Sequence, residues 1–409
     1  MQEKKSMPLI WKIAIGFVIG IVLGFIIGPM APNNPFIADI VLPTLDMIGK
    51  IFLALLKMLI VPLVFSSIVV GAASIGDPKT LGRIGIKTVT LYLCTTAVAI
   101  VFGLALGNLI QPGVGLNIAG AVGEAKAGAK MTEVLLNIFP ANPLKALVEG
   151  MMLQVIVFAL FLGVAATLIG EKGRAFLAFN ESLAETMYKV TALVMKTAPL
   201  GILALIAVTA AKYGLAVLAP FAKVIFAVYL GCFLQAVIVY SGLVTLFTRR
   251  SPMWFFGGVK EAMLAAFVTR SSSATLPISM KNVQENLGVS EKVSSFVLPL
   301  GATINMDGTA LYQGVCALFV AQAFGVPLSF GAQVGILLTA TLASIGTAGV
   351  PGAGLIMLSM VLTSAGLPIE GIGLVAGIDA VLDMARTCVN VTGDMCCSTV
   401  VAKTEGENI

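Results

Sequence analysis

Long apolar segments constrain this chain more than any other feature. Runs of about 20 or more mostly apolar residues recur along the 409-residue sequence, and a segment of that length spans the hydrocarbon core of a bilayer as a helix. Only 11% of the residues are charged, whereas a soluble domain has about 25%. The sequence therefore predicts an all-α membrane protein.

Six uninterrupted spans are predicted before residue 250. Their approximate bounds are 8–30, 46–73, 84–110, 143–169, 177–212 and 215–247. Basic residues occupy every second connection, at Lys4 and Lys5, Lys79 to Lys87, Lys172 to Arg174, and Arg249 and Arg250. Lys126 and Lys130 lie in one of the intervening connections and make this alternation less regular. The positive-inside rule places the amino terminus and the Arg249 loop in the cytoplasm.

Glycines recur every four residues in the first span. They are Gly16, Gly20, Gly24 and Gly28. A stripe of small residues lets a second helix approach closely. We interpret it as a helix-packing surface.

Three later segments have polar interruptions in their middles. Residues 270–277 interrupt 254–281, residues 305–309 interrupt 294–324, and residues 344–354 interrupt 331–367. Non-helical backbone at membrane depth is tolerated only where protein or a cavity surrounds it. Two re-entrant hairpins flanking a broken helix are typical of a transporter site at an inverted-repeat interface. Ordinary loops between short spans are the alternative, but they leave Asp307 charged between apolar flanks.

A polar stripe follows in the last apolar segment. It consists of Asp379, Asp383, Arg386, Asn390 and Asp394. Their spacings of four, three, four and four place them within an arc of roughly 80° on a helix. Three Asp and one Arg at membrane depth would cost about 10–14 kcal/mol if nothing relieved them. The pattern predicts a buried site that binds ligands.

The charges of this region indicate cations and a zwitterion as ligands. Asp307 and the three stripe carboxylates outnumber Arg386, and the available neutral donors are oxygens, which suit a hard ion such as Na⁺,. Arg386 suits a carboxylate and Asp383 an ammonium group. A structural Arg–Asp pair, and protonation of the Asp residues in place of sodium binding, both remain open.

Residue types absent from the chain exclude other functions. It has no histidine, and its six cysteines include no CxxC pair, which argues against zinc, haem and Ser-His-Asp catalysis,. We therefore expect no enzyme. A net charge of +5, dispersed over loops, does not suggest a nucleic-acid partner.

Four motifs resemble the glutamate transporter family, the dicarboxylate/amino acid:cation symporters, and within it the prokaryotic aspartate/glutamate type. The motifs are RSSSATLP, NMDGTALYQG, ASIGTAGVPGAG and DMARTCVNVTGD. The resemblance implies eight transmembrane helices, two re-entrant hairpins and an elevator-type homotrimer in the plasma membrane, with both termini cytoplasmic. It further implies a scaffold of residues 1–75 and 113–213. The moving transport domain would comprise residues 76–112 and 214–409.

The resemblance also implies ligands for the substrate and for about three Na⁺ ions. The substrate residues would be Ser272, Thr309, Val350, Gly354, Asp383, Arg386, Thr387 and Asn390. One sodium site would use Gly301, Asn305, Asn390 and Asp394. A second would use Thr303, Met306, Ser344, Ile345 and Thr347. A third would use Tyr92, Thr95, Thr96, Asn305 and Asp307.

The leading hypothesis is therefore a sodium-coupled symporter of aspartate or glutamate. Arg386 favours acidic substrates, and Asp383 favours an amino acid over a plain dicarboxylate. A proton-coupled glutamate carrier, or a carrier of neutral or sulfur-containing amino acids, is the alternative within transport. A passive ion channel is more distant because the polar residues concentrate near the carboxyl end.

Overall fold

The computed structural model describes residues 7, 9–76, 78–116, 139–214, 218–345, 347, 349 and 352–409. Regular structure in these ranges is helical throughout, in agreement with the predicted all-α class. Val350 and the loop lysines Lys4, Lys5, Lys126 and Lys130 lie outside the described residues.

The helices are numbered here in chain order. The first seven are α1 Leu9–Met30, α2 Leu42–Gly76, α3 Pro78–Ile110, α4 Pro143–Glu149, α5 Met152–Leu168, α6 Arg174–Met195 and α7 Ala198–Tyr213. They are followed by α8 Leu218–Leu234, α9 Ser241–Thr248, α10 Pro252–Thr269, α11 Ser272–Lys281 and α12 Glu291–Ile304. The last are α13 Asp307–Ala323, α14 Phe330–Ala343, α15 Ala353–Ser364, α16 Gly371–Ala376 and α17 Asp379–Thr404.

Two of the predicted spans are not single helices. The fourth breaks between α4 and α5 at Gly150, which adopts φ +66°. The fifth divides into α6 and α7, which bend by 53° because Pro199 in the first turn of α7 lacks a backbone N–H,. Among the described residues, four helices are long and apolar enough to cross a membrane, or five if this bent pair counts as one span.

The contacts between helices fall into two groups. In the first, α1 packs against α7, and α2 packs against α5, α6 and α7. In the second, α17 packs against α10, α12 and α13, and α3 packs against α13. The helices before and after residue 214 therefore mostly contact their own group, with α3 joining the second.

The glycine stripe of α1 faces α7, as the spacing predicts. A Cβ added at Gly24 would lie 2.6 Å from Ala210 Cβ, and one added at Gly20 would lie 2.7 Å from Leu203 O. Any larger side chain would push the two helices apart. The stripe is a packing surface.

The first predicted hairpin is formed by α10 and α11. Asn282 and Asn286, on a π-helical turn that continues α11, bond back to the backbone of Ala262 (3.0 Å) and Gly258 (2.7 Å) on α10. Only Arg270, with φ +54°, and Ser271 leave the helical conformation. The predicted eight-residue tip is thus too long, because the Ser271 side chain caps α11 and the helix restarts at once,.

The second hairpin and the broken helix match the prediction more closely. Helix α14 ends at Ala343, α15 begins at Ala353, and the two helices pack together. Between the hairpins, α12 ends at Ile304 and α13 begins at Asp307, so only two residues interrupt the helix. Both interruptions lie in the polar motifs of the sequence.

The carboxyl-terminal residues tie α3 to the start of α12. Glu405 accepts hydrogen bonds from Arg83 (2.7 Å) and Lys87 (2.7 Å). Two residues later, Glu407 accepts from the Ser290 amide at 2.9 Å. Bonding to Arg83 and Lys87 lowers the pKa of Glu405 to about 2. The bonds of this cluster join residues that are 117 to 322 positions apart in sequence.

We expect Glu405→Gln to reduce the pH dependence of stability at low pH. The pKa of Glu405 falls from an ordinary 4.5 to about 2, so its ionised form stabilises the fold above about pH 4.5 and loses that contribution as the pH falls toward 2. Wild-type thermal stability should fall more than that of the variant between about pH 5 and 3. Thermal unfolding in detergent measures this. Glu171→Gln is the control, because Glu171 forms an exposed ion pair with Arg174. Its thermal stability should depend on pH as that of the wild type does.

Candidate functional site

Arg386 is the most buried charge of the polar stripe. Its side chain is 1% exposed and donates to Asp379 at 2.7 and 3.3 Å and to Asp383 at 2.9 Å. The Tyr312 ring lies beneath the guanidinium, 4.4 Å from its central carbon. A guanidinium has five N–H groups and these bonds use three, so Arg386 keeps donors for a further carboxylate.

Asp383 lies one helical turn before Arg386 and faces the same space. Its Oδ1 accepts from Thr387 at 3.1 Å, and its Oδ2 faces the Gly352 amide at 3.4 Å. Arg270, at the tip of the first hairpin, comes within 4.0 Å of Oδ2. A positive group and a negative group are thus presented side by side.

Asn390 connects the stripe to the broken helix. Its carbonyl oxygen accepts from the amides of Gly308 (2.7 Å) and Thr309 (3.3 Å) in the first turn of α13. Its amide donates to Thr309 Oγ1 at 3.1 Å and to Met306 Sδ at 3.2 Å. These bonds satisfy amides that a helix start leaves without partners.

A single small cavity collects these groups. The residues that line it come from both hairpins, the broken helix and α17. They are Arg270, Ser272, Met306, Thr309, Thr347, Gly349, Ala353, Gly354, Asp383, Arg386, Thr387 and Asn390. Its volume of about 10 Å³ holds roughly one water molecule,. Every predicted substrate residue lines it apart from Val350, which lies outside the described residues.

The tips of the two hairpins meet over this cavity. Ser271 Oγ donates to the Gly349 carbonyl at 2.7 Å, and the Ser273 amide donates to the same oxygen at 3.2 Å. Gly354 lies against the guanidinium, since a Cβ added there would be 2.5 Å from Arg386 Cζ. An amino acid enters this space only if the tips separate.

Asp307 occupies a second buried polar site. It is the first residue of α13, where the helix dipole favours a negative charge,, and none of its surface is exposed. Its Oδ1 accepts from Thr95 (3.2 Å) and Thr96 (2.7 Å) of α3. Its Oδ2 accepts from Gln235 (3.1 Å) and Tyr240 (2.8 Å).

Asn305 joins the Asp307 site to Asp394. Its amide donates to Asp394 Oδ1 at 3.0 Å, and its carbonyl oxygen lies 3.3 Å from the Thr95 hydroxyl, whose single proton can bond to only one acceptor,. Gly301 leaves room for Asp394, because an added Cβ would lie 2.6 Å from the carboxyl carbon. The Tyr92 hydroxyl donates to the Val297 carbonyl at 2.8 Å, so only its backbone oxygen faces Thr95, at 3.2 Å.

The structure brings together Thr95, Thr96, Asn305 and Asp307 of one predicted cation set, and Gly301, Asn305 and Asp394 of another. The Asn390 side chain bonds instead to the first turn of α13. In the remaining set, Thr303, Ser344 and Thr347 donate their hydroxyls to backbone carbonyls three or four residues earlier, at Leu300, Thr341 and Ala343. Met306 and Thr347 of this set both line the small cavity. The acidic residues also separate, Asp379 and Asp383 beside Arg386, and Asp307 and Asp394 around Asn305. In the described part of the chain, no three acidic, cysteine or histidine residues cluster at metal-binding distance.

Comparison with known families agrees with the motifs that line the cavity. The sequence pattern of the sodium:dicarboxylate symporter family matches residues 9–404, nearly the whole chain. The chain belongs to this family. Its members are symporters and not enzymes, which confirms the resemblance to glutamate transporters and the prediction against an enzyme.

Relatives of this symporter carry related names. The chain is 38% identical to the proton/sodium-glutamate symport protein of Geobacillus stearothermophilus, over 98% of this chain and 96% of that protein. It is 36% identical to the proton/glutamate-aspartate symporter of Escherichia coli, over 97% and 93% of the two chains. It is 35% identical to the C4-dicarboxylate transport protein of Rhodospirillum rubrum, over 95% and 88%.

Four residues around the sites of this symporter had no predicted ligand role. Asp379 belongs to the polar stripe, and its position two helical turns before Arg386 is the signal for its bidentate bond to that residue. Tyr312 follows the NMDGT motif by one turn. Gln235 and Tyr240 lie in an apolar span. A glutamine isolated among apolar residues is the sequence signal that could have pointed to a functional role there.

Proposed function

We propose that this protein is a sodium-coupled symporter of acidic amino acids, L-aspartate or L-glutamate. The observation that carries the proposal is the buried cavity, in which Arg386 and Asp383 lie one turn apart beneath two hairpin tips. Arg386 would bind the side-chain carboxylate of the substrate, and Asp383 its ammonium group. The names of the glutamate relatives support this class of substrate.

Asp383 also distinguishes an amino acid from a plain dicarboxylate. A C4-dicarboxylate carries two negative charges and no ammonium group, so a buried Asp383 would repel it. An amino acid with an acidic side chain supplies a positive group at that position. This argument ranks aspartate and glutamate above the substrates named for the C4-dicarboxylate relative.

The remaining polar groups support binding of the main-chain carboxylate and closure over it. Thr309, Asn390 and Thr387 would contact the substrate from below, and Ser272, Gly354 and Val350 from the hairpin tips. The Ser271–Gly349 bond would act as the closure that opens for entry. In the cavity as it stands, this bond and the small volume exclude a substrate.

We infer sodium coupling from the uncompensated carboxylates around the second polar site. Asp307 and Asp394 are buried, and the hydrogen-bond partners that the described residues supply to them are neutral side chains. Sodium would bind one set of oxygens at Gly301, Asn305, Asn390 and Asp394, and another at Tyr92, Thr95, Thr96, Asn305 and Asp307. A further set, Thr303, Met306, Ser344, Ile345 and Thr347, would form when the second hairpin moves.

An elevator motion fits the two groups of helices. We infer that α1, α2 and α4 to α7 form the fixed scaffold, while α3 and the helices after residue 214 carry the site as one body. By family resemblance the scaffold assembles a homotrimer in the plasma membrane, with eight transmembrane helices, two re-entrant hairpins and cytoplasmic termini. Contacts across the boundary, such as those of α15 with α2 and of α16 with α7, are sparser than the main contacts within each group, which supports a sliding boundary.

Proton coupling is the second candidate. Asp394 has a single hydrogen-bond donor among the described residues, Asn305, so a proton could neutralise it in place of sodium. The Geobacillus stearothermophilus relative is named for both the proton and sodium, and the Escherichia coli relative for the proton alone. Substrate binding would be the same in either case.

Uptake into proteoliposomes is the deciding experiment. We expect labelled aspartate to accumulate when an inward sodium gradient is applied at equal pH on both sides, and not when choline replaces sodium. Malate should compete poorly with aspartate. Accumulation that ignores sodium and follows an inward proton gradient would contradict the sodium assignment. Strong competition by malate would contradict the role of Asp383.

A further inference from the structure

Gln235 and Tyr240 reach Asp307 because the helix between them widens. Helix α8 continues into a π-helical segment, Gln235–Tyr240, before α9 begins. In an α-helix, residues five apart point about 140° away from each other. The wider π turn, which is frequently associated with functional sites, directs both side chains to Asp307 Oδ2.

The Gln235 amide has a single chemically reasonable orientation. Its nitrogen lies 3.1 Å from Asp307 Oδ2 and 3.1 Å from the Thr95 carbonyl oxygen. Both neighbours only accept hydrogen bonds, so the NH₂ group must face them. The NH₂ therefore bridges a carboxylate and a carbonyl, the position that a bound cation would take between two such oxygens.

The carbonyl oxygen of the same amide is left without a partner. Gln235 is fully buried, and its Oε1 accepts no hydrogen bond from the residues that the structure describes. A buried acceptor in that state is unfavourable and rare. A half-turn about the terminal side-chain torsion, which is soft in glutamine, would direct this oxygen toward Asp307 and Thr95.

We propose that Gln235 is a ligand of a monovalent cation on the Oδ2 side of Asp307. The ion would bind Asp307 Oδ2, the Thr95 carbonyl and, after the amide turns, Gln235 Oε1. Without the ion, the NH₂ group takes its place and keeps Asp307 bonded. The ligands are all oxygens, which suits Na⁺. The inference rests on the proposed sodium coupling and adds a residue that the family motifs do not include.

The test compares two variants that remove different bonds from the same carboxylate oxygen. Gln235→Met keeps the length of the side chain but removes the oxygen, and should raise the sodium concentration for half-maximal aspartate binding by about ten-fold. Tyr240→Phe removes only a donor and leaves Asp307 freer to bind an ion, so this concentration should stay within about two-fold of the wild type or fall.

Control variants separate ligation from folding. Ile238→Ala lies on the same π turn, with a side chain 54% exposed, and should behave as wild type. Gln235→Glu restores an oxygen and should retain sodium-dependent binding. Loss of a ligand should also change the relative affinity for lithium and sodium. A less firmly positioned Asp307 should instead weaken the binding of both ions equally.

The outcomes distinguish this inference from the proposed function. Wild-type binding that depends on sodium, together with an unchanged Gln235→Met variant, overturns the inference alone. The same is true if Gln235→Met and Tyr240→Phe weaken sodium and lithium binding equally, because Gln235 would then only position Asp307. Wild-type binding that ignores sodium overturns both.

Discussion

Arg386→Cys is expected to abolish uptake of acidic amino acids. The variant removes the donors that would bind the substrate carboxylate, deprives Asp379 of its ion pair and leaves Asp383 with only Arg270, 4.0 Å away. Loss of one partner from a buried charge-assisted bond costs about 2–5 kcal/mol, or about 30- to 5000-fold in affinity. Aspartate affinity, measured by calorimetry in saturating sodium, should fall by at least about 30-fold.

The same variant should admit neutral amino acids. Asp383 remains to bind an ammonium group, and the smaller cysteine leaves space for an uncharged side chain. Competition by serine should therefore increase relative to competition by aspartate. Arg174→Cys is the matched control, since that arginine is 78% exposed in a surface ion pair. Unchanged aspartate affinity in Arg386→Cys would exclude the assigned role.

Asp307→Asn is expected to shift the sodium dependence of aspartate binding to much higher sodium concentrations. Thr95, Thr96, Gln235 and Tyr240 all donate to the carboxylate, and an asparagine amide offers its own NH₂ group to donors that need an acceptor. The variant also loses the negative charge that attracts the ion. The sodium concentration for half-maximal binding should rise by about 100-fold, by analogy with other buried charge deletions.

Asp46→Asn provides a control with the same chemical change at an exposed site. Asp46 is 41% exposed and pairs with Lys50 at 2.6 Å, so its loss should leave sodium dependence intact. Thermal unfolding of both variants separates a lost ion site from a lost fold. If Asp307→Asn remained folded with wild-type sodium dependence, Asp307 would not contribute to the coupling site.

Local patterns predicted the elements that form the site. The spacing of the polar stripe required only that residues 379–394 be helical, and all of these residues lie in α17. The interruptions at Asn305 and Ser344 likewise depend on nearby residues. The length of the first hairpin tip was predicted wrongly, because capping by Ser271 restarts the helix within one residue.

The sequence by itself determined the all-α membrane class, the buried polar wall of the last helix and the symporter family. Apolar length, helical periodicity and contiguous motifs are properties of neighbouring residues. Only the tertiary structure decided that the acids divide between two sites and that Gln235 and Tyr240 contact Asp307 from 72 and 67 residues away. These pairings depend on how helices pack against each other, and no local spacing encodes that packing.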